Sequence, residues 1–370
     1  MKKKNMAVLW VVCFLALLII PRAVWTVTKD NYETVVTENT VVTEIPKLTK
    51  DNWKSYGQSL EDYYNSNVPF RSQLIQANSL LNVNVLKERF INEKVVIGDD
   101  NWLFYCEETN IEDYKGTNLY TEEELAAMAQ NLLNVRQQLA DKNCEFVIFL
   151  APNKETIYSE YLPSYIQDMK KGEQTRARQV VDYLKNNTDL RIVWPEEELL
   201  AYKDQYSLYW HYDTHWNVGG GYIGTRELLE ELGMYLPPVE EVNYTPNDFS
   251  DYDLARMMNL WDYYKENRPA EEDYFVSGYP YNNMQVIQGA GTAPLQYKSE
   301  APETRKLFMV YDSFAGAMIN VLASSFAESY MVGWNSTWNP AQVDEQQPDI
   351  FVLELVERRL DYLSTFSLTE

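Results

Sequence analysis

The chain has only two histidines, His211 and His215, and both fall in SLYWHYDTHWNVGGG, Ser207 to Gly221. Asp213 stands between them, two residues before His215. A spacing of two places both side chains on one side of an extended segment. The carboxylate can then hold the imidazole's Nδ1–H and leave Nε2 free as a base. His211 is equally distant from Asp213 in sequence and is an alternative base. The competing readings are a satisfied structural histidine and a metal ligand. Two histidines and one aspartate, with no HExxH pattern and no cysteine pair, are poor zinc spacing, so no metal is expected.

A base needs a partner. VYDSF, Val310 to Phe314, reads as a strand that ends where a helix begins, at Ser313. A serine in the first turn of a helix sits among unpaired backbone N–H groups and the positive end of the macrodipole. Those groups can stabilise an oxyanion in acyl transfer. Serine is also a common N-cap, and on this stretch alone that is the plainer reading.

These residues need elements to position them. EKVVIGDDNWLFY, Glu93 to Tyr105, reads as a hairpin around a Gly-Asp-Asp turn. Thr121 and Glu124 form a capping box, and Leu125, Met128, Leu132, Val135 and Leu139 make one apolar helix face. A buried strand follows (Glu145 to Pro152), then a helix (Glu173 to Asn187) and a strand (Leu190 to Pro195). The alternation returns after Lys306 with three more apolar strands and a helix. This predicts an α/β fold, a three-layer sandwich with a parallel sheet covered on both faces. In such sheets chemistry sits at the carboxyl ends of strands. Residues from about 236 to 300, rich in Tyr, Asn, Pro and Gly, break the rhythm and read as an insertion facing substrate.

At the N-terminus, Lys2, Lys3 and Lys4 precede an uncharged apolar run from Met6 to Ile20, interrupted by Pro21 and Arg22. No small-x-small cleavage site is evident before Trp25. Residues 1–25 are therefore expected to be an uncleaved single-pass signal anchor in the cell membrane, with everything after about Thr26 outside. A stalk over 26–52 follows, then one domain over 53–370 that opens with a helical preamble, 53–93. A net charge of −23 argues against nucleic acid as a partner, since binding there depends on Lys and Arg displacing counterions. Cys106 and Cys144 could pair in an oxidising compartment, but two isolated cysteines are read as free thiols.

YDTHWN followed about a hundred residues later by VYDSF resembles the alginate-O-acetyltransferase-like family of SGNH-hydrolase-like proteins. VVIGDDNWLFY is similar to that family's opening hairpin, with Asn101 in place of the second Gly. APNKETIYSEYLP resembles its Pro-x-Lys-Glu segment. NDFSDYDLARMM resembles its Gly-Asp-Leu-Ala segment, with Tyr252 replacing the Gly, and QPDIFVLELVERRL its closing strand and helix. Together the likenesses span about residues 53–365. The resemblance implies an extracytoplasmic O-acetyltransferase with an SGNH-hydrolase-like fold. Ser313 would be the nucleophile, His215 the general base and Asp213 its orienting acid. No cofactor is implied. A membrane-bound O-acyltransferase would supply acetyl groups, and the acceptor would be an exopolysaccharide or cell-wall glycan. Trp216, Asn217 and Lys154 are the remaining candidates for substrate or oxyanion contact. The first two could instead position the loop, Asn217 by capping the helix of the glycine run, and a solvated lysine is the plain alternative for Lys154. An acetyl esterase with the same triad, and a non-catalytic glycan-binding subunit, are the rival functions.

Overall fold

Apolar runs without a polar break make strands that are buried on both faces. In the computed structural model Phe146 to Ala151 and Ile350 to Val356 are buried throughout, the second run carrying one polar residue, Glu354. The structure describes residues 2–28, 44–66, 70–91, 93–246, 252–267, 274–277, 283–289 and 294–369. They group into two compact units, residues 1–91 with 255–263, and 92–254 with 264–370.

In the first unit a helix runs from Lys2 to Thr28 and passes through Pro21 rather than ending there. Among the described residues, no helix is long and apolar enough to cross a membrane. Two further helices, Tyr56–Ser66 and Arg71–Leu81, flank residues 67–69, which lie outside the described part. So does most of the expected stalk.

The second unit opens with the hairpin of β1 (Val95–Ile97) and β2 (Leu103–Tyr105), which pairs Val96 with Phe104. Asn101 has φ 63° at its turn. This left-handed conformation explains a glycine in the resembling motif, and Asn is among the few other residues that tolerate it. The main sheet holds seven strands: β3 (Glu145–Ala151), β4 (Arg191–Val193), β5 (Gln285–Gln288), β6 (Leu295–Lys298), β7 (Leu307–Tyr311), β8 (Glu328–Gly333) and β9 (Ile350–Val356). Their order is β4-β3-β9-β7-β8-β6-β5. The first five of these run parallel, while β6 pairs antiparallel with both β8 and β5. The sheet is therefore mixed, not wholly parallel as its pattern predicts. Both antiparallel strands come from the stretch read as an insertion. Their alternation is weak, and all of β5 is exposed, so no apolar run announces them.

Alternate residues of β3 face two cores. Val147, Phe149 and Ala151 pack with α3 (Val218–Glu231) and α4 (Ile319–Ser325). Phe146, Ile148 and Leu150 pack with α1 (Glu122–Ala140) and α2 (Arg176–Asn187). The result is three layers, helices on both faces of one sheet. Thr121 and Glu124 make the expected capping box, and the five apolar positions named for α1 are buried.

Candidate active site

The sheet brings β7 to its end at Tyr311, and the chain turns at once into a short helical segment, Ser313–Ala317. Asp312 fixes that turn. Its Oδ1 accepts the Phe314 N–H at 2.9 Å, and its Oδ2 accepts the Val356 N–H at 2.7 Å from the end of β9. The Asp312 N–H in turn donates to Glu354 Oε2 at 2.9 Å. Burial, and the charge of Asp312, hold the Glu354 carboxyl far above its ordinary range. Ser313 is thus the exposed tip of a buried polar network, so its position is set by the sheet. One expectation narrows here, because the Phe314 N–H is already committed and does not face a substrate.

Asp213 and His215 lie on a turn between Tyr209 and Trp216, which pair as an isolated bridge. The segment is not extended. Asp213 reaches His215 because its Oδ1 accepts the His215 backbone N–H at 3.1 Å, a local aspartate turn. The same oxygen lies 2.6 Å from His215 Nδ1, and His215 Nε2 lies 2.8 Å from Ser313 Oγ. The structure therefore brings Asp213, His215 and Ser313 into one continuous line. Asp213 is buried, which alone would raise its pKa, but the hydrogen bond and charge of His215 bring it down to about 2. Burial would lower the pKa of His215, and the bond to Asp213 reverses this and raises it. His211 is elsewhere. Its ring lies against Trp102, with centroids 3.8 Å apart.

Lys154 neither meets solvent nor stands free for a substrate. It is 1% exposed. Its Nζ donates to the carbonyls of Trp210 (3.1 Å), His211 (3.3 Å) and Asp213 (2.6 Å). Its ammonium also sits over the rings of Trp102 and Phe104. This buried cation gathers the turn that carries Asp213. Trp216 is buried too, and its indole N–H donates to Phe314 O at 2.7 Å, joining the turn of His215 to that of Ser313. Asn217 caps α3, its Oδ1 accepting the Gly220 N–H at 3.1 Å while its amide donates to Ser207 O at 2.6 Å. Both residues are engaged in holding the loop, the positioning alternative that the sequence left open beside substrate contact. The glycines matter through space. A Cβ on Gly221 would lie 2.5 Å from Ala317 Cβ. Only glycine lets α3 approach the Ser313 turn that closely.

Two residues escaped the sequence reading. Asp253 accepts the Thr214 N–H (2.7 Å) and hydroxyl (2.6 Å), and its own N–H donates to Asp213 Oδ2 at 3.0 Å. Arg358 lines the cavity that holds Ser313, together with Tyr311, Gly333, Trp334 and Arg359. That cavity has a volume of about 320 Å³. Asp253 and Arg358 stand within the quoted segments NDFSDYDLARMM and VERRL, but no spacing rule singles out either. Asp213, His215 and Asp253 could each offer a metal one ligand atom, all within 4.8 Å of one another. Those atoms already face one another or Thr214, and a metal there would take the imidazole from Asp213.

Fold and site together define a three-layer α/β protein with a serine, a histidine and an aspartate in line at the carboxyl end of its sheet. By fold the chain is similar to a DHHW family protein from Eubacterium siraeum DSM 15702, with a TM-score of 0.52 at 14% identity, covering 76% of this chain and 98% of that one. PatB1 of Bacillus cereus gives a TM-score of 0.48 at 17% identity, covering 73% and 97%. The O-acetyltransferase domain of Pseudomonas putida AlgJ gives 0.44 at 16%, covering 74% and 95%. No curated protein matches the chain. Residues 95–274, just under half of the chain, match the family model described as SGNH hydrolase-like domain, acetyltransferase AlgX, so that segment is similar to this family. The match includes Asp213, His215 and Asp253 and ends before Ser313.

Proposed function

We propose that this protein is an extracytoplasmic O-acetyltransferase that works through a Ser313 acyl-enzyme. The observation that carries the reading is the unbroken line from Asp213 through His215 to Ser313 Oγ, with 2.6 Å and 2.8 Å links. In the first half-reaction His215 Nε2 takes the Ser313 proton as Oγ bonds to the acetyl carbonyl carbon. The tetrahedral intermediate collapses, and the leaving group departs with the proton from His215. In the second half, an acceptor hydroxyl gives its proton to His215 and attacks the acetyl ester. The proton returns to Ser313 as acetyl leaves for the acceptor oxygen. We assign the oxyanion to the Ser313 N–H and the Arg358 guanidinium, which shares the cavity with Ser313. Asp213 keeps the imidazole in the tautomer this needs.

The acceptor in this reading is a glycan hydroxyl, with Trp334 in the cavity wall as an aromatic surface for a sugar ring. A membrane-bound O-acyltransferase would deliver the acetyl group.

The test is acceptor dependence. Wild-type protein is given an activated acetyl ester with and without exopolysaccharide or cell-wall glycan fragments. The proposal expects acetylated glycan at the expense of free acetate. Acetate alone at every acceptor concentration supports the esterase. Glycan binding with no donor turnover supports the binding subunit.

A further inference from the structure

The triad accounts for one carboxylate, and a second stands beside it. Asp253 takes both donors of Thr214, the backbone N–H at 2.7 Å and the hydroxyl at 2.6 Å. Thr214 Oγ1 is also 3.1 Å from His215 Nδ1. The Asp253 N–H donates to the Asp213 oxygen that does not face the histidine. Asp253 Oδ2 itself lies 3.8 Å from His215 Nδ1. Every residue of the Asp-Thr-His run is therefore touched by Asp253 or by a group it holds.

The backbone before Asp253 is bent to this end. Tyr252 has φ 47°, in the left-handed region that disfavours a bulky side chain. Its ring is buried, edge-on to Trp210 and Tyr212 of the same turn, with centroids 6.2 Å and 5.7 Å away. A non-glycine residue stays in that region only where its surroundings over-determine it.

We propose that Asp253 is a second positioning carboxylate of this site, which ties Thr214 and Asp213 into one unit with His215 and adds a second negative charge beside the imidazole. The proposal rests on the acyl-transfer reading, in which His215 must be basic. Asp253 does its work without touching substrate. Among the described residues, the charged and titratable groups that face this pair are Asp213, Ser313 and Arg358, with the buried Lys154 ammonium on the Asp213 carbonyl behind them. The two aspartates raise the imidazole's affinity for a proton, and Arg358 opposes them. Burial and the Asp213 charge hold Asp253 itself up to about 6, so it is ionised at neutral pH. Removing its charge lowers the His215 pKa, and the fall of activity on acidification moves to lower pH.

The experiment uses the fact that the full chain has two imidazoles. Their titrations are followed by NMR in wild type and in Asp253→Asn, with His211→Gln to assign the resonances. The expected result is a His215 midpoint lower by about one unit in Asp253→Asn, with His211 unmoved. The acid limb of kcat/KM should follow. An unmoved His215 midpoint in a folded Asp253→Asn protein overturns the proposal. Should that variant not fold, Asp253→Ser is read in the same way, and failure of both to fold overturns it too by making Asp253 part of the scaffold. If wild type shows no Ser313-dependent turnover, the acyl-transfer reading fails, while the imidazole titration still decides the placement of Asp253's charge.

Discussion

At the residue scale, the chemistry depends on which protons are held at neutral pH. Asp213 is held down to about 2 and stays ionised at any working pH. His215 is raised above its ordinary value, chiefly by that carboxylate once burial has been overcome. In the proposed reaction the base is the neutral imidazole, so kcat/KM should rise with pH through the His215 pKa and be lost below it. Asp213→Asn removes the acceptor for Nδ1–H and favours the wrong tautomer. It should cost about 10⁴ in kcat, as in a serine triad. Steady-state rates across pH on an ester substrate check both statements. His215 and Asp213 were legible in the sequence because a two-residue spacing is a local feature. Asp253 and Arg358 were not, because they meet the site from forty and more residues away and no short-range rule covers that.

At the element scale, the site is the meeting of a sheet end, a helix start and a clamped turn. Strand and helix identities followed from apolar runs and periodicity, and the α1 capping box and buried face were readable in full. The two antiparallel edge strands were not, since an exposed strand lacks a burial pattern. Lys154 shows the same limit from the other side. A lysine after a strand reads as solvated or substrate-facing, and only three convergent carbonyls make it structural. Lys154→Met should take the shared donor from the Trp210 and Asp213 carbonyls, while His211 O keeps the Leu103 N–H, destabilise the protein by about 1–3 kcal/mol and lower kcat through the displaced Asp213. Thermal melts and rates on the same sample test this. Gly221→Ala drives a methyl toward Ala317. It should cost about 1–3 kcal/mol as overpacking and slow turnover by moving Ser313, with Gly221→Ser no better.

At the scale of the whole molecule, the buried acids beneath the site tie stability to pH. Glu357 accepts the Asn153 N–H, the Thr156 hydroxyl and the Trp194 indole N–H, yet burial pushes its carboxyl up to about 8. Its folded pKa is above the unfolded one, so the folded state binds the extra proton. That contribution is full below about pH 4, declines through the interval and is gone above about 8. The melting temperature should fall between pH 6 and pH 9, and Glu357→Gln should flatten the fall. The acidic surface follows the same logic for partners. A chain of net charge −23 is repelled by anionic polymers except where a local cation is offered, and the Ser313 cavity is lined by Arg358 and Arg359, both paired to Glu108, with the buried Asp312 beside them.

The most direct test of the central claim is the mass of the intact protein after brief exposure to an activated acetyl ester, with Ser313→Ala alongside. Wild type should show a single acetyl-sized gain, located at Ser313 by peptide mapping and absent from the variant. The same gain in both proteins, or donor turnover that survives in Ser313→Ala, would contradict it.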